Sequence, residues 1–328
     1  MMRKVLQNNR GMALILTVLI VTIIVALTLH FNTTMRSELY AAYNFQDSVK
    51  LRSIAYSGLN CGLAVLFEDS MTSSFDSEYE TWARSEDLSS YSPSLFNEGR
   101  FELQITDLTG RIQINQLVSE DGNYNLKQKE LLIRLLSLMD LEIGSQGIED
   151  IVDSIKDWLD RDNEVTRFGA EDSYYKDLDP PYACRNGPLE SIEELLLIKG
   201  ITRMLFYGTM DTPGISAYLS VYGDETGRIN INTADPIILQ ALSEDMDKDL
   251  VDEIVAYRQD EDNDLSNPTW YKSALGTNEN IIDPDMITTK SSFFEIRSKG
   301  IKDAMTKEVI GVIRRNNKAL SILSWKMS

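Results

Sequence analysis

The strongest local signal for chemistry is an acidic stretch near the middle of the chain. If Asp160 is counted as position one, carboxylates also fall at positions three, five and twelve, which are Asp162, Glu164 and Glu171. Calcium loops have this spacing because hard oxygen ligands must surround one ion and a two-oxygen ligand closes the ring. The sixth position is Val165 where a calcium loop has glycine, so the segment is not an EF-hand. Two interpretations remain open, a calcium site and a solvated acidic loop.

Composition narrows the classes of chemistry further. The chain has 328 residues and one histidine, His30, which excludes a histidine-based triad and argues against histidine-ligated zinc. Its formal net charge is −19, and such a surface repels phosphate backbones, so we expect no nucleic-acid partner. No general acid and base pair or phosphate-binding glycine loop stands out, so we expect no enzyme activity. Cys61 and Cys184 could form one disulfide or remain two buried thiols.

The N-terminus predicts a membrane anchor. Residues 12–29 are uncharged and mostly apolar, and as a helix they would rise about 27 Å, close to the hydrocarbon thickness of a bilayer. The preceding leader carries Arg3, Lys4 and Arg10 and no acid, which places it in the cytoplasm by the positive-inside rule. We therefore predict a membrane-spanning segment over 12–31, within one helix that runs to about residue 67 and leaves the bulk of the chain on the opposite side.

A candidate cleavage site, Gly11, lies before the apolar run, so cleavage there would leave the helix on the mature chain. This arrangement resembles the leader of type IV pilins and of the pseudopilins of type II secretion. In those families a membrane peptidase cuts after the glycine and methylates the new first residue, here Met12; an uncleaved signal anchor is the alternative. Major pilins carry glutamate at the fifth mature position, where this chain has Leu16. An unpaired carboxylate in the membrane is costly, so an apolar residue there suggests the tip of a filament.

The remaining pattern predicts a sheet interrupted by helices. Residues 99–107 alternate polar and apolar side chains, as a half-buried strand does. The pattern Thr-Gly-Arg-Ile-x-Ile-Asn occurs at 109–115 and again at 226–232, and each copy precedes helical segments. Strands far apart in the chain, with helices between them, imply an inserted domain. We predict helices over 126–140, 147–159, 188–198, 202–207, 235–243 and 247–259, and closing strands over 292–298, 308–314 and 320–325.

These elements predict an α+β protein with a long N-terminal transmembrane helix. Its predicted parts are a leader (1–11), the transmembrane segment (12–31), a pilin-like α+β body (32–110 and 285–328) and an inserted helical domain (111–284). The insert resembles helix-hairpin-helix or SAM-like modules. One of its hairpin turns, residues 242–247, carries three acids and no glycine, so we expect the scaffold without phosphate binding.

Together these features resemble the type II secretion minor pseudopilins known as general secretion pathway protein K. The resemblance implies a pilin fold with a large helical insertion, calcium in that insertion and a place at the pseudopilus tip. It implies processing between Gly11 and Met12. It rests on the leader Arg10-Gly11 without the glutamate, the acidic loop 158–162, the segment 186–195 and Asn230–Ala234. Carried over residue by residue, the metal ligands are Asp160, Asp162, Glu164, Glu171 and Asp172.

The same resemblance implies partners and a location. The partners are the minor pseudopilins of the I and J types, which would form a tip complex with this chain, and the prepilin peptidase. The location is the bacterial inner membrane, crossed once, with a short cytoplasmic N-terminus and a periplasmic bulk. The implied function is to help initiate and cap the pseudopilus that exports folded proteins across the outer membrane. A minor pilin of a type IV pilus and a membrane-anchored DNA-uptake receptor are the alternatives.

Overall fold

One long helix forms the N-terminal part of the molecule. The computed structural model describes residues 9–139, 141, 143–316 and 319–328. Helix α1 spans Asn9–Thr72, a few residues longer at each end than the predicted 12–67. It contains an eighteen-residue window with a mean hydropathy of 2.9, none of which is buried against the rest of the protein. Among the described residues this is the one helix long and apolar enough to cross a membrane.

After α1 the chain alternates short helices with strands. The further helices are α2 (Ser85–Tyr91), α3 (Leu126–Leu138), α4 (Gly144–Leu159), α5 (Asp172–Lys176), α6 (Arg203–Tyr207), α7 (Pro236–Ala241), α8 (Lys248–Arg258) and α9 (Tyr271–Ala274). The strands are β1 (Arg100–Asp107), β2 (Ile112–Gln113), β3 (Leu219–Ser220), β4 (Ile229–Asn230), β5 (Ile287–Thr288), β6 (Phe293–Lys302), β7 (Met305–Asn316) and β8 (Ala319–Met327). Short 3-10 helices lie at Ser92–Leu95, Ile114–Leu117, Ile192–Leu197, Ile215–Ala217 and Pro284–Met286.

The main sheet has four antiparallel strands in the order β1-β6-β7-β8. Its first strand precedes the long helical segment and its other three follow that segment, so the sheet closes around an interruption of the chain. The outer part of α1 packs on one face, where Leu51, Ile54 and Leu59 meet alternate sheet residues such as Phe101 and Ile296. The alternation predicted the strands correctly, although β6 and β7 extend beyond the predicted limits.

Two glycines allow α1 to approach the sheet closely. A Cβ atom on Gly58 would lie 2.1 Å from Oγ of Ser298 and 2.9 Å from Cγ of Phe101. A Cβ atom on Gly300 would lie 2.4 Å from the main-chain oxygen of Leu51. Real side chains do not make contacts this short, so the helix and the strand touch because neither position has a side chain. The glycine that weakens α1 as an isolated helix therefore serves its packing.

The segment between β1 and β6 has a hydrophobic core of its own. Its buried apolar residues form one cluster that runs from Ile112 to Ile287, whereas α1 and the sheet share another cluster that runs from Leu51 to Ile313. Within the segment, α7 and α8 form the expected helical hairpin, and the Asp247 carboxylate caps α8 by accepting a hydrogen bond from a main-chain N–H. We refer to residues 111–284 as the insert; these limits are those of the sequence prediction.

The internal repeat forms equivalent structure twice. Strand β2 occupies the first copy and pairs in parallel with β3, and β4 occupies the same position in the second copy and pairs in parallel with β5. The two copies also touch, because the main-chain N–H of Asn230 donates to the carbonyl of Thr109 at 3.0 Å. The repeat thus joins the segment just before the insert to β4 within it.

The α-helix predicted over 188–198 is wrong in type. The chain there forms only the short 3-10 helix Ile192–Leu197. Ser191 and Glu194 form a capping box at its start, which is a helix signal, but the chain becomes extended at Ile198. Ile198 and Ile201 are both buried in the core of the insert. Burial of these two residues ends the helix after little more than one turn.

A buried polar network joins the insert to the body; we call it the junction network. Its centre is Asp107 at the end of β1, whose carboxylate accepts hydrogen bonds from the side chains of Asn230 (3.1 Å) and Ser291. Beside it, Asp76 accepts from the main-chain N–H of Ser291 at 2.7 Å and forms an ion pair with Arg315. Through these bonds the α1–α2 connection, β1, the insert and β7 are fixed to one another.

The helix–sheet contact gives a first prediction. Gly58→Val forces a branched side chain against Ser298 and Phe101, and we expect it to lower the free energy of unfolding by about 1–3 kcal/mol. The neighbouring Ser57→Val places the same side chain on the exposed face of α1 and controls for the presence of a branched residue in this turn. Urea denaturation of the detergent-solubilised protein measures both. Equal stability of the two variants would contradict the close contact.

Candidate metal site

Three carboxylates from α4 and the loop after it meet in the insert. Asp157 and Asp160 lie three residues apart at the end of α4, so both project from the same face of the helix. The following loop turns back and brings Glu171, the residue before α5, to the same place. One carboxylate oxygen from each of the three residues lies within 4.8 Å of the others. All three side chains are buried, with 2 % or less of each residue exposed.

The hydrogen bonds around these carboxylates leave several oxygens without a donor. Thr166 donates its main-chain N–H to Asp157, and the Lys156 ammonium contacts Oδ2 of Asp160. Oδ1 of Asp160 and both oxygens of Glu171 are buried without a hydrogen-bond partner. Buried polar groups are nearly always paired, and an ionised carboxylate is among the costliest groups to leave unpaired. These oxygens are therefore candidate ligands for a cation.

The pKa values of Glu171 and Asp157 also indicate crowded negative charge at the cluster. Burial, followed by the neighbouring charges of Asp157, Asp160 and Asp162, raises the pKa of Glu171 to about 7. Burial also raises the pKa of Asp157 to about 6, against the hydrogen bonds from Thr166. Lys156 forms an ion pair with one of the three acids, Asp160. A divalent cation would balance the other two carboxylates when all three are ionised, and oxygen-only ligands suit a hard ion such as Ca²⁺ or Mg²⁺.

Neighbouring residues fix the geometry of the carboxylate cluster. A Cβ atom on Gly169 would lie 2.1 Å from Oδ2 of Asp157, so only glycine lets the loop pass over that carboxylate. Underneath, the ring of Trp158 packs edge-on against Tyr175 with centroids 5.0 Å apart, and Tyr182 packs against both. These aromatic residues support the loop from the core, as the sequence indicated. Cys184 donates its thiol to the Asp157 carbonyl at 3.5 Å and is a free cysteine, as is Cys61.

The structure brings together two of the five acids selected from the sequence. Asp160 and Glu171 belong to the cluster, whereas Asp162 and Glu164 are exposed on the loop, and Asp162 accepts the main-chain N–H of Glu164 at 2.8 Å. The charge of Asp162 lies close enough to raise the pKa of two of the three cluster acids, Glu171 and Asp160. Asp172 points elsewhere: Lys176 forms an ion pair with it at 2.6 Å and lowers its pKa.

Sequence reasoning missed Asp157. The calcium-loop spacing begins at Asp160 and includes only residues after it. The helical periodicity of α4 places Asp157 one turn earlier on the same face. The signal for Asp157 is therefore the last turn of the predicted helix 147–159, which precedes the acidic loop. The second acidic stretch, 260–264, stays apart from the cluster; its Asp260 and Asp264 carboxylates accept main-chain N–H groups in exposed turns.

Comparison with known proteins matches two segments of the chain, mostly within the insert, to one protein family. A family model described as type II secretion system protein K matches residues 110–208, and a second model for the same protein matches residues 229–268. The first match contains the whole candidate metal site, and the second contains α7 and α8.

The chain is similar to the type II secretion system protein K family over these two segments.

Curated relatives agree with this family. The chain is 25 % identical over 239 residues to type II secretion system protein K of Aeromonas hydrophila, across 70 % of this chain and 69 % of the relative. It is 22 % identical over 236 residues to the protein K of Klebsiella pneumoniae, across 70 % and 68 %. Both relatives are named as type II secretion proteins, and neither is named as a type IV pilin or a DNA-uptake receptor.

A solved structure has the same fold. It is the crystal structure of the GspK-GspI-GspJ complex from the type 2 secretion system of enterotoxigenic Escherichia coli, matched with a TM-score of 0.64 at 20 % identity. The match covers 88 % of this chain and 99 % of that one. The predicted fold, an α+β protein with a long apolar N-terminal helix, is thereby confirmed.

The crowded carboxylates predict a stability gain when one of them is neutralised. In EDTA at about pH 8, above the raised pKa of Glu171, Glu171→Gln removes one of the repelling charges and should raise the free energy of unfolding by about 1 kcal/mol. The exposed Glu164→Gln should change it by less than about 0.5 kcal/mol. Urea denaturation measures both values. A less stable Glu171→Gln variant in EDTA would show that the charges do not repel as described.

Proposed function

We propose that this protein is a minor pseudopilin that caps the tip of the type II secretion pseudopilus and helps to initiate its assembly. The observation that carries the proposal is the position of the insert. The junction network ties it to Asp69 and Asp76, at the end of α1 opposite the apolar N-terminal segment. A subunit stacked above the body would meet the insert there, whereas subunits below can still pack along α1.

The exposed surface of α1 supports this direction of assembly. Beyond the apolar anchor, Leu39, Tyr40, Tyr43 and Phe45 are all exposed and belong to none of the hydrophobic clusters of the described residues. Large exposed apolar residues on a helix suit lateral packing against the helices of other subunits. Leu16 adds to the proposal, because a subunit with nothing above it gains nothing from a membrane carboxylate.

The proposed partners are the I- and J-type minor pseudopilins of the same secretion system. Support comes from the structural match, which is a complex of GspK with GspI and GspJ. We further propose that the prepilin peptidase cuts after Gly11 and that Met12 becomes the methylated first residue. The chain would then cross the inner membrane once, with its bulk in the periplasm.

The mass of the native assembly tests this proposal. We expect the protein, extracted from membranes that contain all three minor pseudopilins, to form a complex with one copy each of the I and J types. Its own subunit mass should be that of a chain beginning at N-methylated Met12. Native and intact mass spectrometry give both values. A chain that retains residues 1–11 and purifies without either partner would contradict the proposal.

We also propose that the carboxylate cluster of Asp157, Asp160 and Glu171 holds calcium. The unpartnered oxygens of Asp160 and Glu171 are ligands of the kind calcium takes, and no compensating charge beyond Lys156 lies among the described residues at the cluster. A bound ion would neutralise the remaining charge and fix the loop 161–171 against α4. Its role is structural, and it would keep the insert rigid.

Calcium should therefore stabilise the protein. Relative to EDTA, millimolar calcium is expected to raise the unfolding temperature by about 5 °C, because an ion that binds only the folded state stabilises it by mass action. Glu171→Gln should lose most of this rise, whereas Glu164→Gln, which changes an exposed acid of the same loop, should keep it. Differential scanning calorimetry measures the shifts. A full calcium response in Glu171→Gln would place the ion elsewhere.

A further inference from the structure

The internal repeat extends further back than its Thr-Gly-Arg core. An aspartate lies four residues before the arginine in both copies: Asp107 before Arg111, and Asp224 before Arg228. Each aspartate accepts the main-chain N–H group of the threonine two residues after it, at 2.7 Å in the first copy and 2.9 Å in the second. The two copies can therefore be compared residue by residue.

The two arginines have different surroundings. Arg228 donates Nε and Nη2 to the two carboxylate oxygens of Asp224, at 3.3 and 2.9 Å. Within the described part of the chain, Arg111 is hydrogen-bonded only through its main-chain N–H, and its guanidinium forms no ion pair. The aspartate of the first copy, Asp107, instead accepts hydrogen bonds from the junction network, namely from Asn230, Thr233 and Ser291. The first copy thus lacks the internal pair that the second copy forms.

The unpaired guanidinium belongs to a cleft between the main sheet and the insert. The cleft has a volume of about 290 Å³, and the half-buried Arg111 forms part of its wall. Apolar residues of both sides line it, namely Leu108, Ile192, Leu219, Tyr222, Ile310 and Val312. Ligand pockets combine mostly apolar walls with a few polar groups, and their volumes begin at about 300 Å³. A cleft of this size holds one small molecule or one residue of a peptide.

The other charged groups of the cleft have partners of their own. Its three acids are each ion-paired with a lysine or an arginine: Glu193 with Lys326 (3.6 Å), Glu190 with Arg185 (2.6 Å) and Glu295 with Arg297 (3.1 Å). Burial lowers the pKa of Arg111, and the charges of Glu295 and Asp107 oppose that shift from beyond ion-pair distance. A partly desolvated charge without a direct partner is costly, so Arg111 is the group in the cleft that gains most from a ligand.

The chemistry of the cleft indicates the class of ligand. A guanidinium pairs with a carboxylate or a phosphate through two parallel N–H groups, as Arg228 does with Asp224. The glutamates of the cleft repel a doubly charged phosphate more strongly than a singly charged carboxylate. The apolar walls suit a ligand that has an apolar part. Together these constraints favour a small carboxylate that carries an apolar group.

We propose that Arg111 and the cleft around it bind a small apolar carboxylate, whose pair with the guanidinium takes the place of the internal pair in the second copy of the repeat. Such a ligand would contact the main sheet and the insert at once, close to the point where the chain passes from one to the other. Either a free carboxylic acid or the C-terminal residue of a polypeptide supplies this chemistry. The site does not depend on the proposed place of the protein in a filament.

Ligand-observed NMR tests this site on the full-length protein in detergent. The probes are N-acetyl-leucine, its amide and inorganic phosphate, and empty micelles serve as the blank. We expect N-acetyl-leucine to bind at least about tenfold more tightly than the other two, because only this probe has both a carboxylate and an apolar side chain. Equal affinities for the acid and the amide overturn the proposal.

The second copy of the repeat provides a matched control. Arg111→Gln should lower the affinity for N-acetyl-leucine at least about tenfold, whereas Arg228→Gln, which removes the arginine that is already paired, should leave it unchanged. In the dialysed protein without probe, Arg111→Gln should not lower the unfolding temperature, because its guanidinium has no direct partner to lose. An Arg111→Gln variant that binds N-acetyl-leucine normally, or that unfolds at a lower temperature than Arg228→Gln, overturns the proposal.

Two peptides distinguish the sources of the carboxylate. A tripeptide that ends in leucine should bind at least about tenfold more tightly than the same tripeptide with an amidated C-terminus if a chain end fits the cleft. If N-acetyl-leucine binds and neither peptide does, the ligand is a free acid. Both results support the carboxylate site. Failure of both N-acetyl-leucine and the unmodified tripeptide to bind overturns it.

Discussion

The arrangement of the whole molecule depends on the junction network. The chain leaves the sheet at the end of β1 and returns to it at β6, so the insert is attached through two adjacent connections that alone would leave its orientation loose. Asp107 lies between them and is buried, and Ser291, Thr233, Asn230 and a main-chain N–H all donate to its carboxylate. Burial raises the pKa of this acid, and each of these donors opposes the rise. The carboxylate is tolerated only when the body and the insert both contribute donors.

Arg315 extends this constraint to the end of α1. Its guanidinium contacts both Asp69 and Asp76, and it donates to the carbonyl of Ser291 at 2.9 Å. Burial raises the pKa of Asp76 to about 7, and the charge of Arg315 opposes that shift. A buried pair of this kind contributes little net stability, yet removal of one partner is costly because the other is then unpaired. The network therefore fixes a geometry, namely the insert above the end of α1, more than it adds to stability.

The features that follow from local patterns were predictable from the sequence. The long apolar run predicted α1, and the alternation of residues 99–107 and 292–298 predicted β1 and β6. These three elements lie near the predicted positions. The repeat also led directly to β2 and β4. The features that depend on tertiary contacts were not predictable. The capping box of Ser191 and Glu194 is a genuine helix signal, but burial of Ile198 ends the helix. Nothing in the order of residues indicated that Asp69, Asp107 and Arg315 would meet.

The candidate metal site shows the same division. Spacing along the loop identified Asp160 and Glu171, which the fold brings together, but it also selected Asp162, Glu164 and Asp172, whose side chains point to solvent or to other partners. Only the direction of α4 relative to the loop distinguishes the acids that meet from those that do not. Gly169 allows the loop to approach the Asp157 carboxylate closely. The insert thus combines a packed core with a loop that brings three buried carboxylates together.

The position of the protein within the filament tests the central claim most directly. Single-molecule counting of a fluorescently labelled chain on pseudopili of different lengths would give the number of copies per filament. If the insert caps the end, the count is one at every length and the label lies at one end. A count that grows in proportion to filament length, with label along the shaft, would contradict the account.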